Sequence, residues 1–337
     1  MSSVVRLKAS NLRKVLTTIK PLFPKSTTEI PLGLQMSNGK LNIVCLQGLV
    51  FQSTIPVDDV LALNTATILY HDISTLLPSE GDIDIEFTPT HIYVYAKDFD
   101  VKFPVGYSVV EEQDFSKLAF SSINNSGFVE GFSRLLNMNL EKLMNQVSPI
   151  VVRNGLALQR FHNIWVQVRT TGLTFNAVLS TDHIKLLNKF VPSEVCTSIP
   201  GTLVFRNSTG ILQLPCKPDN DTSKVTELMN DLGEPVNLHI RSYLERVKQI
   251  AKLDTKAHCN ITLYKEGLKT TVSNNQVELS VKLGNTEHDV LQVCKLPIQL
   301  WITLLRGLDA DIIQVLIGGG KICLRTGSTV ILARVLL

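Results

Sequence analysis

Gly318-Gly319-Gly320-Lys321 is the segment that most invites a catalytic reading, because glycine-rich loops ending in lysine can cradle phosphates. Such a loop needs a Ser or Thr after the lysine and a helix beyond it. Here Ile322 follows and the text continues as a strand, so a hairpin turn is expected. Asp82, Asp84 and Glu86 alternate and would share one strand face, which could hold a divalent cation. A solvated strand edge shows the same alternation. Asp98 to Asp100 and Asp309 to Asp311 sit beside strands as turn residues do. No Gly-x-Ser-x-Gly or His-Glu-x-x-His motif occurs, and nothing aligns a nucleophile, a base and an oxyanion donor. The six cysteines (Cys45, Cys196, Cys216, Cys259, Cys294, Cys323) contain no Cys-x-x-Cys pair and read as reduced thiols. We therefore expect no catalytic residue, no metal and no cofactor.

What remains is positive charge and its placement. The net charge of +3 is too small to make the whole surface attract nucleic acid, so any attraction depends on where the bases sit. Asn11-Leu12-Arg13-Lys14-Val15-Leu16 has two echoes, Asn139-Leu140-Glu141-Lys142-Leu143-Met144 and Tyr243-Leu244-Glu245-Arg246-Val247-Lys248. In each, a leucine is followed two positions later by a base and three later by an aliphatic residue. The copies start at 11, 139 and 243, about a third of the chain apart, which suggests three related domains. The register aligns Lys14 with Lys142 and Arg246, and Lys20 with Lys252. The first helix carries Arg13, Lys14 and Lys20. Lys142, Lys185 and Lys189 fall on helices of the middle third, and Arg246, Lys248, Lys252 and Arg306 on those of the last. Acids on the same helices are fewer, chiefly Asp72, Glu141, Asp182 and Glu245, and the helix His71 to Leu77 has no Lys or Arg. Bases on helix faces suit phosphate contact without sequence readout.

The elements that must position these residues follow one order. Val4 to Ala9 reads as a strand and Ser10 as an N-cap. Leu12, Val15, Leu16 and Ile19 then form one helix face, and three strands follow, Ile30 to Met36, Leu41 to Leu46 and Leu49 to Val57. This βαβββ order returns from Ala66 to Pro104, with Gly106 to Gly127 as a connector. In the middle third, a strand over Phe128 to Arg134 is expected to precede a helix over Asn139 to Val147. Strands then follow to Leu179, a helix over Ser180 to Phe190 and further strands to Leu214. After a polar linker, Lys217 to Glu234, come a strand Val236 to Arg241, a helix Ser242 to Leu253, and strands Cys259 to Tyr264, Leu268 to Ser273, Val277 to Leu283 and Val290 to Lys295. A helix Pro297 to Leu308 and three last strands close the chain. The fold class is α+β, in three domains, 1–110, 111–220 and 235–337, each a duplicated βαβββ unit; 337 residues accommodate two or three domains. With 44% hydrophobic and 19% charged residues the chain reads as globular and soluble. The apolar run near the C-terminus is broken by Arg306, Asp309 and Asp311, short of the roughly 20 residues a bilayer requires. Met1 to Ser10 lacks the apolar core of a signal peptide, so no membrane association and a cytoplasmic location are expected.

Six βαβββ units in three domains resemble the DNA sliding clamp superfamily, and the layout is similar to the bacterial β clamp of the replicative polymerase. The resemblance rests on element order, the triple Leu-x-Lys/Arg match and the terminal strand Val330-Ile331-Leu332-Ala333-Arg334-Val335-Leu336-Leu337. It implies a non-enzymatic processivity factor, a head-to-tail homodimer forming a six-domain ring with its helices toward the hole. Double-stranded DNA would be held without sequence readout, and polymerase and clamp loader tethered through short peptide motifs, in a bacterial or phage-infected host cytoplasm. It further implies a peptide pocket between the second and third domains. Matching chain ends gives Ile331, Ala333, Val335 and Leu337 as peptide-binding candidates, with Leu336 where the family often has a base. The linker Lys217 to Glu234 is the alternative docking strap, as in the proliferating cell nuclear antigen type. An interaction scaffold that keeps the fold without encircling DNA is the alternative function.

Overall fold

The computed structural model describes residues 3–20, 30–37, 39–46, 50–57, 64–106, 114–173, 175–218, 231–252, 254, 256–273 and 278–335. Strand β1 (Ser3–Lys8) leads into α1 (Ala9–Ile19) and the meander β2 (Pro31–Ser37), β3 (Lys40–Leu46) and β4 (Val50–Pro56). The order repeats with β5 (Asn64–Leu69), α2 (Tyr70–Leu76), β6 (Asp82–Phe87), β7 (His91–Tyr95) and β8 (Asp100–Pro104). The middle third contributes β9 (Ser121–Ser122), α3 (Asn125–Met138), the one-turn α4 (Leu140–Met144), β10 (Ile150–Arg153), β11 (Leu156–Phe161) and β12 (Ile164–Arg169). It continues through β13 (Ala177–Leu179), α5 (Thr181–Phe190), β14 (Glu194–Cys196), β15 (Thr202–Asn207) and β16 (Gly210–Pro215). The last third holds β17 (Val236–His239), α6 (Arg241–Ala251), β18 (His258–Ser273), β19 (Glu278–Pro297), α7 (Ile298–Gly307), β20 (Ile312–Gly318), β21 (Lys321–Arg325) and β22 (Thr329–Arg334).

Two compact units emerge. The first joins 1–125 to 182–217, the second 126–181 to 218–337. In the first unit, four strands run β1-β6-β7-β8 and eight run β5-β2-β3-β4-β16-β15-β14-β9. The second unit has the eight-stranded sheet β13-β10-β11-β12-β22-β21-β20-β17 and the two-stranded ribbon β18-β19. Each eight-stranded sheet is two four-stranded sets zipped along one antiparallel seam, β4 with β16 in one and β12 with β22 in the other. Amphipathic helices supply the apolar faces: Leu12, Val15, Leu16 and Ile19 of α1 are buried, as are Tyr243 and Val247 of α6 and Trp301, Leu304 and Leu305 of α7.

Three expectations from the sequence are corrected. First, Phe128 to Arg134 lies inside α3, not in a strand. The two glycines that look like breakers, Gly127 and Gly131, lie on its buried face, where a Cβ would stand 1.7 Å from Thr171 Oγ1 and 2.4 Å from Thr170 Cγ2. They let the helix backbone touch the chain just beyond β12. Helices α1, α3 and α6 begin at 9, 125 and 241, two equal steps of 116, so the residue in register with Lys14 and Arg246 is Glu130 rather than Lys142. Second, the four strands expected between Cys259 and Lys295 are two long ones, with the register shifting between Leu263 and Glu266. Third, α1 begins at Ala9 after an N-cap at Lys8 with no side-chain bond, so Ser10 is inside the helix.

The ribbon is fastened to α6 and α7 by one buried hydroxyl. Thr270 Oγ1 pairs with Tyr243 Oη and accepts from Trp301 Nε1 at 3.1 Å, with all three side chains almost fully buried. Burial raises the Tyr243 phenol well above its usual range, so it stays neutral. Thr270→Val keeps the shape and deprives two buried groups of their partner, which costs about 2–5 kcal/mol. A thermal melt reads this as a lowered midpoint, whereas Thr270→Ser restores most of the loss.

Candidate nucleic-acid interface and peptide-docking surface

The face of α1 that buries Leu12 and Leu16 leaves Lys14 exposed, and Lys20 is exposed at its C-cap. Arg13 turns elsewhere. Its Nε donates to the Pro78 carbonyl at 2.6 Å and its Nη2 to the Leu77 carbonyl, so it caps the end of α2 instead of standing as a free surface cation. On α5, Lys185 is exposed and paired with Asp182 at 2.8 Å, while Lys189 is exposed in the last turn. On α6, Arg246 is exposed and Lys248 pairs with Glu245 at 2.5 Å. The Glu245 carboxyl is held below the usual range first by the Lys248 hydrogen bond and then by the charges of Lys248, Arg306 and Lys252. Lys248 alone is in contact with this carboxylate, while Arg306 and Lys252 act on it through their charge, so the cations here outnumber the acid.

Other helices contribute little. Lys142 is exposed on α4, a single turn between the left-handed residues Asn139 (φ 49°) and Asn145 (φ 48°). Helix α2 has neither Lys nor Arg, and α3 offers Glu130 and Arg134 bound to each other, with Arg134 also donating to Ser328 Oγ. Arg241 was missed by sequence reasoning: it is the exposed first residue of α6, a helix expected to start one residue later.

The apolar surface of the last strand has the opposite phase to the one expected. Trp165, Leu332, Cys323 and Leu316 form one row across β12, β22, β21 and β20, and Leu232 and Val330 pack over it half-buried. Arg160 and Arg334 lie 5.6 and 5.5 Å from the Trp165 ring centre. The indole N–H of Trp165 is buried without a hydrogen-bond partner. Ile331 and Ala333 point to the other face, fully buried in the core, because successive strand residues alternate. Val335 lies just past β22, half-buried, its N–H donating to the Gly320 carbonyl at 2.9 Å, and Leu337 is outside the described residues. In the first unit the row containing Cys196 and Val204 is covered by the chain itself through Phe115, Leu118 and Phe120, with Arg206 4.1 Å from the Phe120 ring centre.

The remaining chemical candidates resolve into structure. Asp84 accepts two bonds from Arg6, at 2.8 and 3.0 Å, which lower its pKa, and Glu86 accepts from Tyr95 Oη at 2.7 Å. Gly319 (φ 55°) and Gly320 (φ 69°) form the two-residue hairpin turn between β20 and β21. Five of six cysteines are buried and none is disulfide-bonded, and burial pushes the Cys259 and Cys294 thiols up to about 12. Among the described residues no group of three or more His, Cys, Asp or Glu is placed to hold a metal, and no helix is long and apolar enough to cross a membrane.

No protein-family model and no curated protein matches the sequence. Solved structures do match in shape. The DNA polymerase III subunit beta of Pseudomonas aeruginosa aligns at TM-score 0.79 and 11% identity over 99% of this chain and 100% of its own. The DNA polymerase sliding clamp of Caulobacter crescentus gives 0.78 and 10% over 99% of both chains. The Helicobacter pylori beta clamp bound to a DNA ligase peptide gives 0.76 and 12% over 99% and 100%. The chain therefore has the beta-clamp fold from end to end.

Proposed function

We propose that the chain is a non-enzymatic sliding clamp: two copies close head-to-tail around duplex DNA and tether a polymerase and other DNA-processing proteins. The observation that carries this reading is the seam rule. The third strand of one meander pairs with the last strand of the following set, as β4 does with β16 and β12 with β22. Two strands that satisfy the rule have no outer partner among the described residues. They are β8, the last of its set, and the Glu278–Leu283 stretch of β19, which pairs only with β18. Joining β8 of one copy to that stretch of another, twice, gives a ring of six sets, three domains (1–110, 111–220 and 235–337) from each copy. Such a link keeps a protein on DNA while it slides, which tight base contacts would prevent. The exposed bases Lys14, Lys20, Lys189, Arg246, Lys252 and Arg306 suit the phosphate side of that task. A cytoplasmic setting follows from the same role. Light scattering across a dilution series tests closure: a ring gives twice the 37.4 kDa chain mass, and a persistent monomer contradicts it.

Partner peptides dock on the Trp165 row in this reading. The unsatisfied indole N–H and the half-buried Val330 and Leu232 support it, as does the self-covered counterpart in the first unit. Trp165→Ala is expected to weaken a clamp-binding peptide by about 2 kcal/mol or more, roughly thirtyfold, in a fluorescence-polarisation titration. Ile331→Val, in the core on the other face, leaves that affinity unchanged.

A further inference from the structure

A second site lies in the first unit, where α1 passes over β4 and the β15–β16 turn. The cleft there has a volume of about 210 Å³. Its floor is apolar, made by Val15, Phe51 and Ile55, all buried, with Phe51 braced edge-on by Phe190 at 6.2 Å. Asn11, Lys14 and Ser208 stand among its lining residues as hydrogen-bond donors. Several neighbouring hydroxyls are already engaged: Ser53 donates to the Thr209 carbonyl, Thr54 to Asn42 and Thr18 to the Lys14 carbonyl. Lys14 is the only charged residue among those described around the cleft.

The repeat shows that this opening is not a requirement of the fold. In the second unit α3 takes the place of α1, and there Gly127 and Gly131 replace Asn11 and Val15 in the 116-residue register. Without side chains at those positions the helix lies directly against Thr170 and Thr171. Arg134, in register with Thr18, reaches across to Ser328 in the β21–β22 turn. The second junction is thereby sealed, and the first is open.

We infer that the α1 cleft binds a small aromatic monocarboxylate. A cavity of about 150 Å³ accepts benzene, and drug-sized ligands occupy about 300 Å³ or more, so 210 Å³ suits one substituted ring system. The ring rests on Val15, Phe51 and Ile55. Its acid group accepts from Lys14 and Asn11, and Lys14, the one charge among the described lining residues, favours an anionic head over a cationic one.

Titration of the full-length protein with 2-naphthoate, followed by saturation-transfer NMR without DNA, tests the site apart from ring function. Saturable binding is expected, with 2-naphthalenemethanol about threefold to fivefold weaker, the difference a solvent-exposed ion pair supplies. Lys14→Gln erases that difference between acid and alcohol. Thr18→Arg copies the sealed junction and abolishes binding of both. If acid and alcohol bind the wild type equally, or if Thr18→Arg binds as the wild type does, the inference is overturned.

Discussion

Replacing Lys14, Arg246, Lys252 and Arg306 together by glutamine will shorten retention on circular DNA and flatten its salt dependence. Each lost phosphate contact takes about 0.9 from the log–log slope, so the four together take about 3–4. All four side chains are exposed, and such substitutions typically move stability by less than about 0.5 kcal/mol each. Arg13→Gln should behave in the opposite way. Its loss leaves two carbonyls at the end of α2 without their donor and costs about 1–3 kcal/mol, with the salt slope unchanged. A slope insensitive to the four-residue change would remove the helices from the DNA face.

Lys102→Pro will halve the solution mass. The N–H of Val105 donates inward to Thr90, so alternation along β8 turns the N–H groups of Phe103 and Val101 inward and that of Lys102 outward. Proline at 102 therefore preserves the β7–β8 ladder and removes a donor from the outer edge that the proposed partner strand needs. Lys102 also lies 5.5 Å from the Tyr93 ring centre, and Lys102→Ala controls for that contact: it should keep the dimer. Light scattering at a fixed micromolar concentration distinguishes the two, and an unchanged mass for Lys102→Pro would exclude β8 as the ring seam.

The first third was legible from sequence because its signals are local. Alternation in Asp82–Phe87 and His91–Tyr95, the helical stripe of Leu12, Leu16 and Ile19, and the turn at Gly39 each point to one element. The middle third misled because its helix is glycine-bearing for a tertiary reason: Gly127 and Gly131 are required by the approach of Thr171 and Thr170, which are more than thirty residues away. Missing that helix shifted the repeat register and promoted Lys142 over Glu130. The ribbon β18–β19 reads in sequence as four strands, with Gly267 and Gly284 falling in the gaps between them. These glycines face each other across the ladder, where a Cβ on Gly284 would lie 2.2 Å from the Glu266 carbonyl. End-matching of the last strand carries no information about which of its faces lies in the core, and the structure buries Ile331 and Ala333 there while Leu332 joins the Trp165 row on the other face. Arg13 was indistinguishable from Lys14 by composition, and only the position of the α2 terminus separates a structural cap from a free cation.

The measurement that tests the ring most directly is release from DNA by cutting. The protein is loaded on a nicked circular duplex, isolated with it by gel filtration, and the circle is then linearised at a single site. A clamp held by topology stays with the circle and leaves within minutes of linearisation, at unchanged salt and unchanged DNA mass. Equal retention on circular and linear DNA would mean that the protein adheres rather than encircles, and the sliding-clamp reading would fall.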